Sequence, residues 1–382
     1  MKVGIISTFY KNYNYGGKLQ AYALTKVLTN MGLEARQIQY SQHRKSTGSG
    51  RKLSKLLSSS DYRAAAVQKL TGKVLRRERA SWRQRQLAFD CFDAQIPHTE
   101  KVYDDQSISQ TNRSFDIFIC GSDQIWNPML LKRSYLLPFV ETGKRRLSYA
   151  ASIASRLDAH WQGAFQEALA SFDAVSVREL QDQRELQTLL DKPVERTLDP
   201  TLLLRAEQWD ELTVEPEERQ PYLFCYFLGY EAAARRCVRT IARRLGLRLV
   251  TMPHMMGASG RFYPSDIGFG DKQVYDATPA EFIGYIKDAT IVVTDSFHAT
   301  VFSLLYQKQF LTLGRREHQE MSRRFEALLP LFGCTERFIN GNYDLDKMTH
   351  LCEEPIAYNA ENTELERMRQ ASLDYLWRNT HP

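Results

Sequence analysis

Short apolar runs alternate with stretches of helical spacing at the start of the chain, and this alternation restricts the fold more than any other feature of the sequence. The run Val3–Ser7 is followed by a loop, after which apolar residues recur at helical spacing as far as Met31. A second apolar run, Ala35–Tyr40, comes next. A strand, a helix and a strand in this order form a βαβ unit, whose two strands lie parallel.

The alternation begins again at Tyr222–Leu228, so we predict two α/β units with a boundary near residues 205–220. In the second unit, Thr278 and Pro279 indicate a helix start, because threonine caps helices well and proline is favoured at the first helical position. The other predicted strands are Phe115–Cys120, Leu147–Ser152, Ala174–Val177, Arg196–Leu198, Leu247–Thr251, Thr290–Thr294 and Phe310–Leu313, and the other predicted helices span 61–95, 231–245, 296–306 and 362–378.

The length and the cysteines restrict the class of protein. A chain of 382 residues is typical of two domains. No apolar run reaches the ~18 residues that a membrane-spanning helix needs, and the opening stretch is too short for a signal peptide and fits a buried strand instead. The six cysteines form no CxxC pair, so we expect buried thiols in a reducing compartment. These features predict a cytoplasmic protein.

Positive charge is concentrated in one segment. Residues 41–86 hold 13 Lys and Arg against two acidic residues, a net +11, which leaves −5 for the rest of a chain whose formal charge is +6. Its helical part carries an apolar stripe of Val67, Leu70, Val74 and Trp82, and such a helix could lie against an anionic membrane surface. Because the stripe is thin, we favour the alternative that the segment is a solvated insertion.

Four loops follow the carboxyl ends of predicted strands, which is where open α/β sheets bind their ligands. They are residues 14–17 (NYGG), 121–124 (GSDQ), 176–179 (SVRE) and 294–301 (TDSFHATV). We therefore expect the functional residues to come from these loops.

The stretch TDSFHATV places a histidine in the first turn of a predicted helix. Thr294 ends a strand, Asp295 or Ser296 can cap the helix that follows, and His298 then lies among free amides that favour an anion. The same field disfavours a positive charge on the imidazole, so we expect His298 to be neutral in an empty site and charged when a dianion is bound. Such a group suits general acid catalysis. The alternative is a core histidine bonded to a backbone carbonyl.

Arginines near predicted loop edges could bind a ligand that has both a carboxylate and a phosphate, because guanidinium groups bind both in a bidentate manner. For each of them the alternative is a solvated surface charge. They are Arg178, Arg315, Arg316, Arg323 and Arg324.

Known cofactor motifs are missing from the sequence. Gly16 and Gly17 could let the backbone approach a phosphate, but they fit neither GxxxxGK[ST] nor GxGxxG, and a tight turn is the interpretation we favour. His254, His298 and His318 do not stand at metal-ligand spacing from carboxylates. We predict neither a metal nor an organic cofactor.

Seven stretches together resemble the polysaccharide pyruvyl transferase family, from the first strand to about residue 335. In order they are NYNYGGKLQAYALTKVL, FDIFICGSDQIWNP, LSYAASI, DAVSVRE, LDPTLLL, TPAEFIGYIKDATIVVTDSFHATVFSLLY and SRRFEALLPLFG. The basic segment and the tail after residue 340 fall outside the resemblance.

The resemblance implies an α/β fold with two Rossmann-like domains facing a cleft, similar to the B-type glycosyltransferases. Residues 1–205 would form an N-terminal domain on the acceptor side, with a basic insertion at 41–95. Residues 206–345 would form a C-terminal domain on the donor side, and 346–382 a helical tail.

The implied activity is transfer of pyruvate from phosphoenolpyruvate to two hydroxyls of a sugar, which gives a cyclic ketal and free phosphate. The acceptor would be a glycan or a lipid-linked oligosaccharide of bacterial capsule, exopolysaccharide or cell wall. The implied partners include no nucleic acid, and the protein would be cytoplasmic, with the segment 41–86 able to contact the inner face of the membrane.

The family's catalytic histidine matches His298 and its arginine matches Arg178. Some relatives have a basic residue two positions before the histidine, where this chain has Ser296, so Arg324 is our substitute candidate for the donor phosphate. Either Asp123 or Asp295 could be the base. We predict donor contacts from Arg178, Ser296, Phe297, His298, Arg315 and Arg324, and acceptor contacts from Asn14, Tyr15, Gly16, Asp123 and Gln124, with His298, Asp123 and Arg178 as the catalytic residues.

Two other functions share these sequence features. A glycosyltransferase that uses a nucleotide sugar would have the same fold and cleft. A binding or scaffold protein on an old enzyme fold would not depend on His298 at all.

Overall fold

The fold consists of two parallel sheets, one from each half of the chain. The structure is a computed structural model that describes residues 1–41, 72–255, 262–315, 320, 322–359 and 362–381. The strands of the first half are β1 (Lys2–Ile6), β2 (Glu34–Gln37), β3 (Ile117–Cys120), β4 (Arg145–Ser148), β5 (Val175–Val177) and β6 (Val194–Arg196). The helices of this half are α1 (Tyr15–Asn30), α2 (Gly72–Asp93), α3 (Ala159–Ala170), α4 (Leu180–Gln187) and α5 (Ala206–Asp210).

The second half has its own six strands and six helices among the described residues. The strands are β7 (Tyr222–Tyr226), β8 (Arg248–Thr251), β9 (Lys272–Gln273), β10 (Ile291–Thr294), β11 (Gln309–Leu313) and β12 (Phe338–Ile339). The helices are α6 (Ala232–Arg244), α7 (Pro279–Asp288), α8 (Phe297–Leu305), α9 (Arg323–Leu328), α10 (Leu345–Glu353) and α11 (Thr363–Thr380).

Both sheets are parallel throughout, as the βαβ pattern predicts. The first sheet has the order β2-β1-β3-β4, and single bridges from Leu147 to Ala174 and from Ala151 to Val177 attach the pair β5-β6 beside β4. The second sheet has the order β12-β11-β10-β7-β8-β9. In parallel sheets all carboxyl ends lie along one edge, so each sheet gathers the loops that follow its strands on one side.

Most of the predicted strands and helices are present, with ends shifted by a few residues. The helix start at Thr278 is confirmed, since its hydroxyl accepts a bond from the amide of Glu281 and the carboxylate of Glu281 accepts one from the amide of Thr278. Helical patterns between the strands indicated α3 and α4 without bounds, and the prediction missed β9, β12, α5, α9 and α10. Each of the two missed strands has only two residues, which is too short for periodicity to give a signal.

The predicted C-terminal helix, α11, packs against the first sheet rather than extending from the second. The hydroxyl of Tyr375 donates to the carbonyl of Ser148 at 2.8 Å, and the hydroxyl of Ser372 accepts the amide of Leu198 at 2.9 Å. Arg369 donates to the carbonyl of Leu202 at 2.8 Å. The end of the chain therefore returns to the half in which it began.

Helix α2, at the end of the basic segment, is not a solvated insertion, so that interpretation is wrong for this part. Arg85 is 1% exposed and donates to the carbonyl of Tyr275 at 2.7 Å, and its guanidinium lies 5.0 Å from the ring centre of Tyr15. The ring of Trp82 packs edge-on against Tyr13. The helix thus joins the two halves. Residues 42–71, including Val67 and Leu70, lie outside the described residues.

The charged pair of Lys18 and Asp93 joins α1 to α2 and should be important for stability. The ammonium of Lys18 is fully buried and contacts both carboxylate oxygens of Asp93; burial lowers the pKa of Lys18 and raises that of Asp93. Replacing Asp93 with Asn should lower the free energy of unfolding by ~3 kcal/mol, because a buried charge loses its partner. Urea denaturation measures this change.

The matched control is the exposed pair of Arg244 and Asp346. Replacing Asp346 with Asn should change the free energy of unfolding by less than ~1 kcal/mol, because solvent screens exposed pairs. Equal effects of the two substitutions would contradict a special contribution from the buried pair.

Two further observations concern the length of the described helices and the state of the cysteines. None of the described helices is both long and apolar enough to cross a bilayer. Each of the six cysteines, all within the described ranges, has a free thiol. Four of them are buried, as expected, whereas Cys91 is exposed and Cys237 is half-buried.

Candidate active site

The imidazole of His298 lies where the two halves of the chain meet. Helix α8 starts at Phe297, directly after β10, and Ser296 caps it by accepting a bond from the amide of Ala299 at 3.4 Å. This confirms that His298 belongs to the first turn of a helix. Its ring is 5% exposed and faces the first turn of α1.

Gly16 makes this contact possible. A Cβ atom built on Gly16 would lie 2.0 Å from Nδ1 of His298, far inside van der Waals contact. Only a residue without a side chain lets the imidazole lie this close to α1. The amides of Gly16 and Gly17 donate to the side chain of Asn14, which caps α1. The glycine pair predicted as a tight turn is therefore the first turn of a helix that receives the histidine.

The other ring nitrogen of His298 points to Asp199. Its Nε2 atom lies 3.5 Å from Oδ2 of Asp199, which is longer than a hydrogen bond. Nε2 is buried and has no hydrogen-bond partner in the described part of the chain. Neither ring nitrogen bonds a backbone carbonyl of a described residue, so the alternative of a core histidine tied to the backbone does not describe this site.

Asp199 is the shared carboxylate at the centre of the site. Its Oδ2 accepts from Nη1 of Arg178 at 2.8 Å and from the hydroxyl of Ser122 at 3.1 Å, and its Oδ1 accepts from the hydroxyl of Thr201 at 2.7 Å. Burial alone raises the pKa of Asp199, but the neighbouring His298 and Arg178 outweigh burial and hold this pKa well below its usual range. The carboxylate is therefore charged, and it lies 3.5 Å from the imidazole of His298.

Two of the three guanidinium nitrogens of Arg178 have hydrogen-bond partners among the described residues, and the third has none. Its Nε donates to Glu179 at 2.8 Å and its Nη1 binds Asp199, while Nη2 is buried and has no hydrogen-bond partner in the described chain. The guanidinium lies 4.2 Å from the ring centre of Phe297. Nη2 of Arg178 and Nε2 of His298 are therefore both buried, and neither has a hydrogen-bond partner among the described residues. Both side chains lie next to the carboxylate of Asp199. Buried donors of this kind are costly unless a ligand satisfies them.

A buried carboxyl pair lies behind Arg178. Burial, and next the charge of Glu179, raise the pKa of Asp182 well above its usual range. One oxygen of Asp182 accepts the amide of Ile153 at 2.8 Å.

Arg324 adds a second buried cation. It is 4% exposed, and its guanidinium lies 5.8 Å from the ring centre of Phe297. Burial first, and then the charges of Arg178 and Arg315, lower the pKa of Arg324 to about 10. A narrow crevice of about 20 Å³ lies between Arg178, Asp199, Phe297 and Arg324, whereas His298 is not among the residues that line it. Converging arginines beside a crevice suit an anionic ligand.

Asp295 and Arg315 hold the turn before α8. The carboxylate of Asp295 accepts the amides of Leu228 at 2.6 Å and Gly229 at 2.7 Å, and Arg315 donates to it at 3.0 Å. Both oxygens of Asp295 are thus occupied, which does not suit a base. Arg315 also donates to the backbone carbonyl of Asp295. Asp295 and Arg315 therefore stabilise the turn that leads into α8. The positive charge of Arg315 also lowers the pKa of Arg324.

Asp123 stands beside the arginines in a strained backbone conformation. Its φ of 69° is rare for a residue other than glycine and is common at functional sites. Its negative charge acts on both Arg178 and Arg324. The side chain is half-buried. Gln124 is also half-buried, and its side-chain oxygen accepts a bond from Asn127 at 3.1 Å.

Tyr15, which was predicted to contact the acceptor, is not positioned to do so. Its side chain is fully buried, its hydroxyl donates to the carbonyl of Ala277 at 3.0 Å, and its ring stacks on Phe282 at 4.3 Å. It joins the two halves of the chain instead of facing the cleft.

The structure brings together most, but not all, of the residues that the sequence indicates. The four predicted loops converge, and they place Gly16, Asp123, Arg178, Phe297 and His298 around one centre. Asp199 and Glu179 have no role among the predicted site residues, although an acidic residue near a strand end is a usable signal. Arg316 lies outside the described residues. Among the described residues, no group of three or more His, Cys, Asp or Glu is arranged to hold a metal ion.

One family model matches the chain. It is described as polysaccharide pyruvyl transferase, and it matches residues 14–317. The matched range includes all four loops. Of the site residues described above, only Arg324 lies outside it. No curated protein matches the sequence.

Solved structures with a similar fold include two UDP-GlcNAc 2-epimerases. The enzyme of Neisseria meningitidis bound to UDP-GlcNAc is 11% identical, with a TM-score of 0.54 over 99% of this chain and 100% of that one. The enzyme of Methanocaldococcus jannaschii is 9% identical, with a TM-score of 0.54 over 98% of this chain and 100% of that one. At these identities the likeness concerns the fold alone, and it confirms the predicted class of two Rossmann-like domains facing a cleft.

Proposed function

The chain belongs to the polysaccharide pyruvyl transferase family, and we propose that it transfers the pyruvyl group of phosphoenolpyruvate to two hydroxyls of one sugar in a glycan acceptor. The products are a cyclic pyruvate ketal and phosphate. The setting we propose is the synthesis of bacterial capsule, exopolysaccharide or cell-wall glycan.

One observation carries this proposal. Nη2 of Arg178 and Nε2 of His298 are both buried and unpartnered among the described residues, and both flank the carboxylate of Asp199. A ligand that satisfies both donors must offer an anionic group to the guanidinium and a proton acceptor to the imidazole. Phosphoenolpyruvate has two anionic groups next to a carbon that accepts a proton.

The first step is protonation of the donor. His298 gives the proton on Nε2 to the methylene carbon of phosphoenolpyruvate, which becomes a methyl group, and the adjacent carbon becomes cationic. Asp199 stays charged because its pKa is held low, so it positions the imidazole and stabilises its protonated form before the transfer. Arg178 and Arg324 hold the carboxylate and the phosphate.

The second step forms the ketal. One sugar hydroxyl adds to the cationic carbon and gives its proton to Asp123, whose charge lies beside the two arginines. The bond between this carbon and the phosphate oxygen then breaks, and phosphate leaves with the electron pair and takes the proton from Asp123. The second hydroxyl closes the ring on the same carbon, and its proton returns to His298.

The proposal predicts that phosphate is released only when both phosphoenolpyruvate and an acceptor sugar are present. The measurement is an assay of free phosphate with a panel of glycans and lipid-linked oligosaccharides, and mass spectrometry should find products heavier by one pyruvyl ketal. Release of a nucleoside diphosphate from a sugar nucleotide under the same conditions would instead show that the protein is a glycosyltransferase.

A further inference from the structure

Two acidic side chains at the start of α4 are buried directly beside Arg178. Glu179 is 2% exposed and Asp182 is 1% exposed, and the two carboxyl groups are within hydrogen-bond reach of each other. Each has one buried oxygen, Oε2 of Glu179 and Oδ1 of Asp182, that receives no hydrogen bond from a described residue. A carboxylate oxygen can only accept, so a hydrogen bond between two carboxyl groups requires a proton on one of them.

The other two oxygens of this acid pair are bonded to two different parts of the site. Oε1 of Glu179 accepts a bond from Nε of Arg178 at 2.8 Å. Oδ2 of Asp182 accepts the amide of Ile153 at 2.8 Å, in the loop 149–154 that follows β4. The acid pair therefore connects the guanidinium that is proposed to hold the donor with the loop after β4.

The loop 149–154 in turn holds Asp123. The amide of Ser152 donates to the carbonyl of Asp123 at 3.0 Å. Two buried residues of the loop, Ala150 with a φ of 48° and Ala154 with a φ of 54°, adopt the left-handed conformation that is costly for residues other than glycine. Such a conformation persists only where the surrounding contacts enforce it, and the bond to Asp182 is one of these contacts.

The charges around the acid pair come from three arginines. Besides Arg178, the charges of Arg196 on β6 and Arg324 on α9 act on the pair. Arg178 is already bonded to Asp199 as well as to the pair. Ionisation of Asp182 would place one more negative charge beside the same guanidinium, and a proton shared within the pair avoids this repulsion between buried like charges.

We propose that Glu179 and Asp182 share one proton and act as a positioning unit, in which Glu179 orients Arg178 toward the donor and Asp182 holds the loop that positions Asp123. The inference rests on the proposed function, because it assigns positioning residues to that reaction. Neither acid takes or gives a proton in the reaction itself. Burial raises the pKa of Asp182, so its proton leaves only above the usual range of carboxyl groups. The negative charge that then remains opposes the binding of an anionic donor to Arg178.

The shared proton can be observed without turnover. Infrared spectroscopy of the full chain at neutral pH should show a protonated-carboxyl band that is lost in Asp182→Asn and shifted in Glu179→Gln, where the bond partner becomes an amide. The matched control is Glu353→Gln, which alters an exposed acid on α10 and should leave the band unchanged. Identical spectra of the unaltered chain and Asp182→Asn in this region would overturn the shared proton.

The effect of the acid pair on Arg178 is tested by the pH dependence of donor binding. Calorimetric titration with phosphoenolpyruvate from pH ~6 to pH ~9 covers the range in which strongly buried carboxyl groups titrate. Over this range the affinity of the unaltered chain should fall at least ~10-fold more than that of Asp182→Asn, because only the unaltered chain gains a buried charge. His298 and the donor also titrate, but they are the same in both proteins. Parallel profiles of the two proteins would overturn this effect.

The effect of the acid pair on Asp123 is tested by kcat. The side chain introduced by Asp182→Asn can still accept the amide of Ile153, whereas that of Asp182→Ala cannot. The Ala variant should therefore lose at least ~10-fold more kcat than the Asn variant, as expected when a reacting group is displaced. Circular dichroism should show that both variants stay folded, and the first two tests do not depend on the Ala variant.

Equal kcat of the two folded variants would contradict the role of Asp182 in holding the loop. If the unaltered chain releases no phosphate with any acceptor, the proposed function fails, while the infrared spectra still decide whether the acid pair shares a proton.

Discussion

Replacing His298 with Ala should lower the rate of phosphate release by at least ~10²-fold, which is the contribution of a positioned general acid. The imidazole supplies the proton in the first step, and no other described side chain places an unpartnered ring nitrogen beside Asp199. The binding of phosphoenolpyruvate should weaken much less, because Arg178 and Arg324 remain. Steady-state kinetics with both substrates measures the two effects separately.

The control is His350→Ala, which removes an exposed imidazole on α10. This variant should keep full activity. Circular dichroism should show that the His298 variant stays folded. A folded His298→Ala protein with the normal rate would rule out the proton transfer and favour a binding protein on an enzyme fold.

Replacing Gly16 with Ala should lower kcat by ~10²-fold although Gly16 takes no part in the chemistry. The new methyl group would lie 2.0 Å from Nδ1 of His298, so the ring must leave its present position beside Asp199. A displacement of about 1 Å at a reacting group costs on this order. The KM for phosphoenolpyruvate should change little, because the arginines are not displaced.

Gly163→Ala is the matched control. Gly163 lies in the exposed part of α3, and nothing lies within 4 Å of a Cβ built on it. Alanine there should leave kcat unchanged and stabilise the fold by up to ~1 kcal/mol, because alanine is the better helix former. If both glycine variants keep normal kcat, the imidazole does not depend on its contact with α1.

The sequence predicted local structure well because its signals act over a few residues. Apolar spacing placed the strands and helices. The capping residues indicated the start of α7 at Thr278 and narrowed the cap of α8 to Asp295 or Ser296, of which the structure has Ser296. His298 could therefore be assigned to a first helical turn from eight residues alone. Signals of this length fail where an element is very short, as for β9 and β12.

The sequence could not assign partners to its charged residues. The predicted donor residue Arg315 is bonded to Asp295, and the basic helix α2 uses Arg85 to bond the second half of the chain. In both cases the sequence showed the charged residue but not the residue to which it bonds. Which charged residues pair depends on which loops the two sheets bring together. The spacing of residues along the chain does not show this.

The sequence by itself determined that this protein has parallel sheets, that loops with polar and charged residues follow their strands, and that an imidazole stands at one helix start. Only the tertiary structure decided that this imidazole lies on Gly16, 282 positions away in the chain, and faces Asp199, and that Arg178 shares the same carboxylate. The reason is physical. Periodicity and capping depend on neighbours within one or two turns, whereas these contacts form only when two separately built sheets pack against each other.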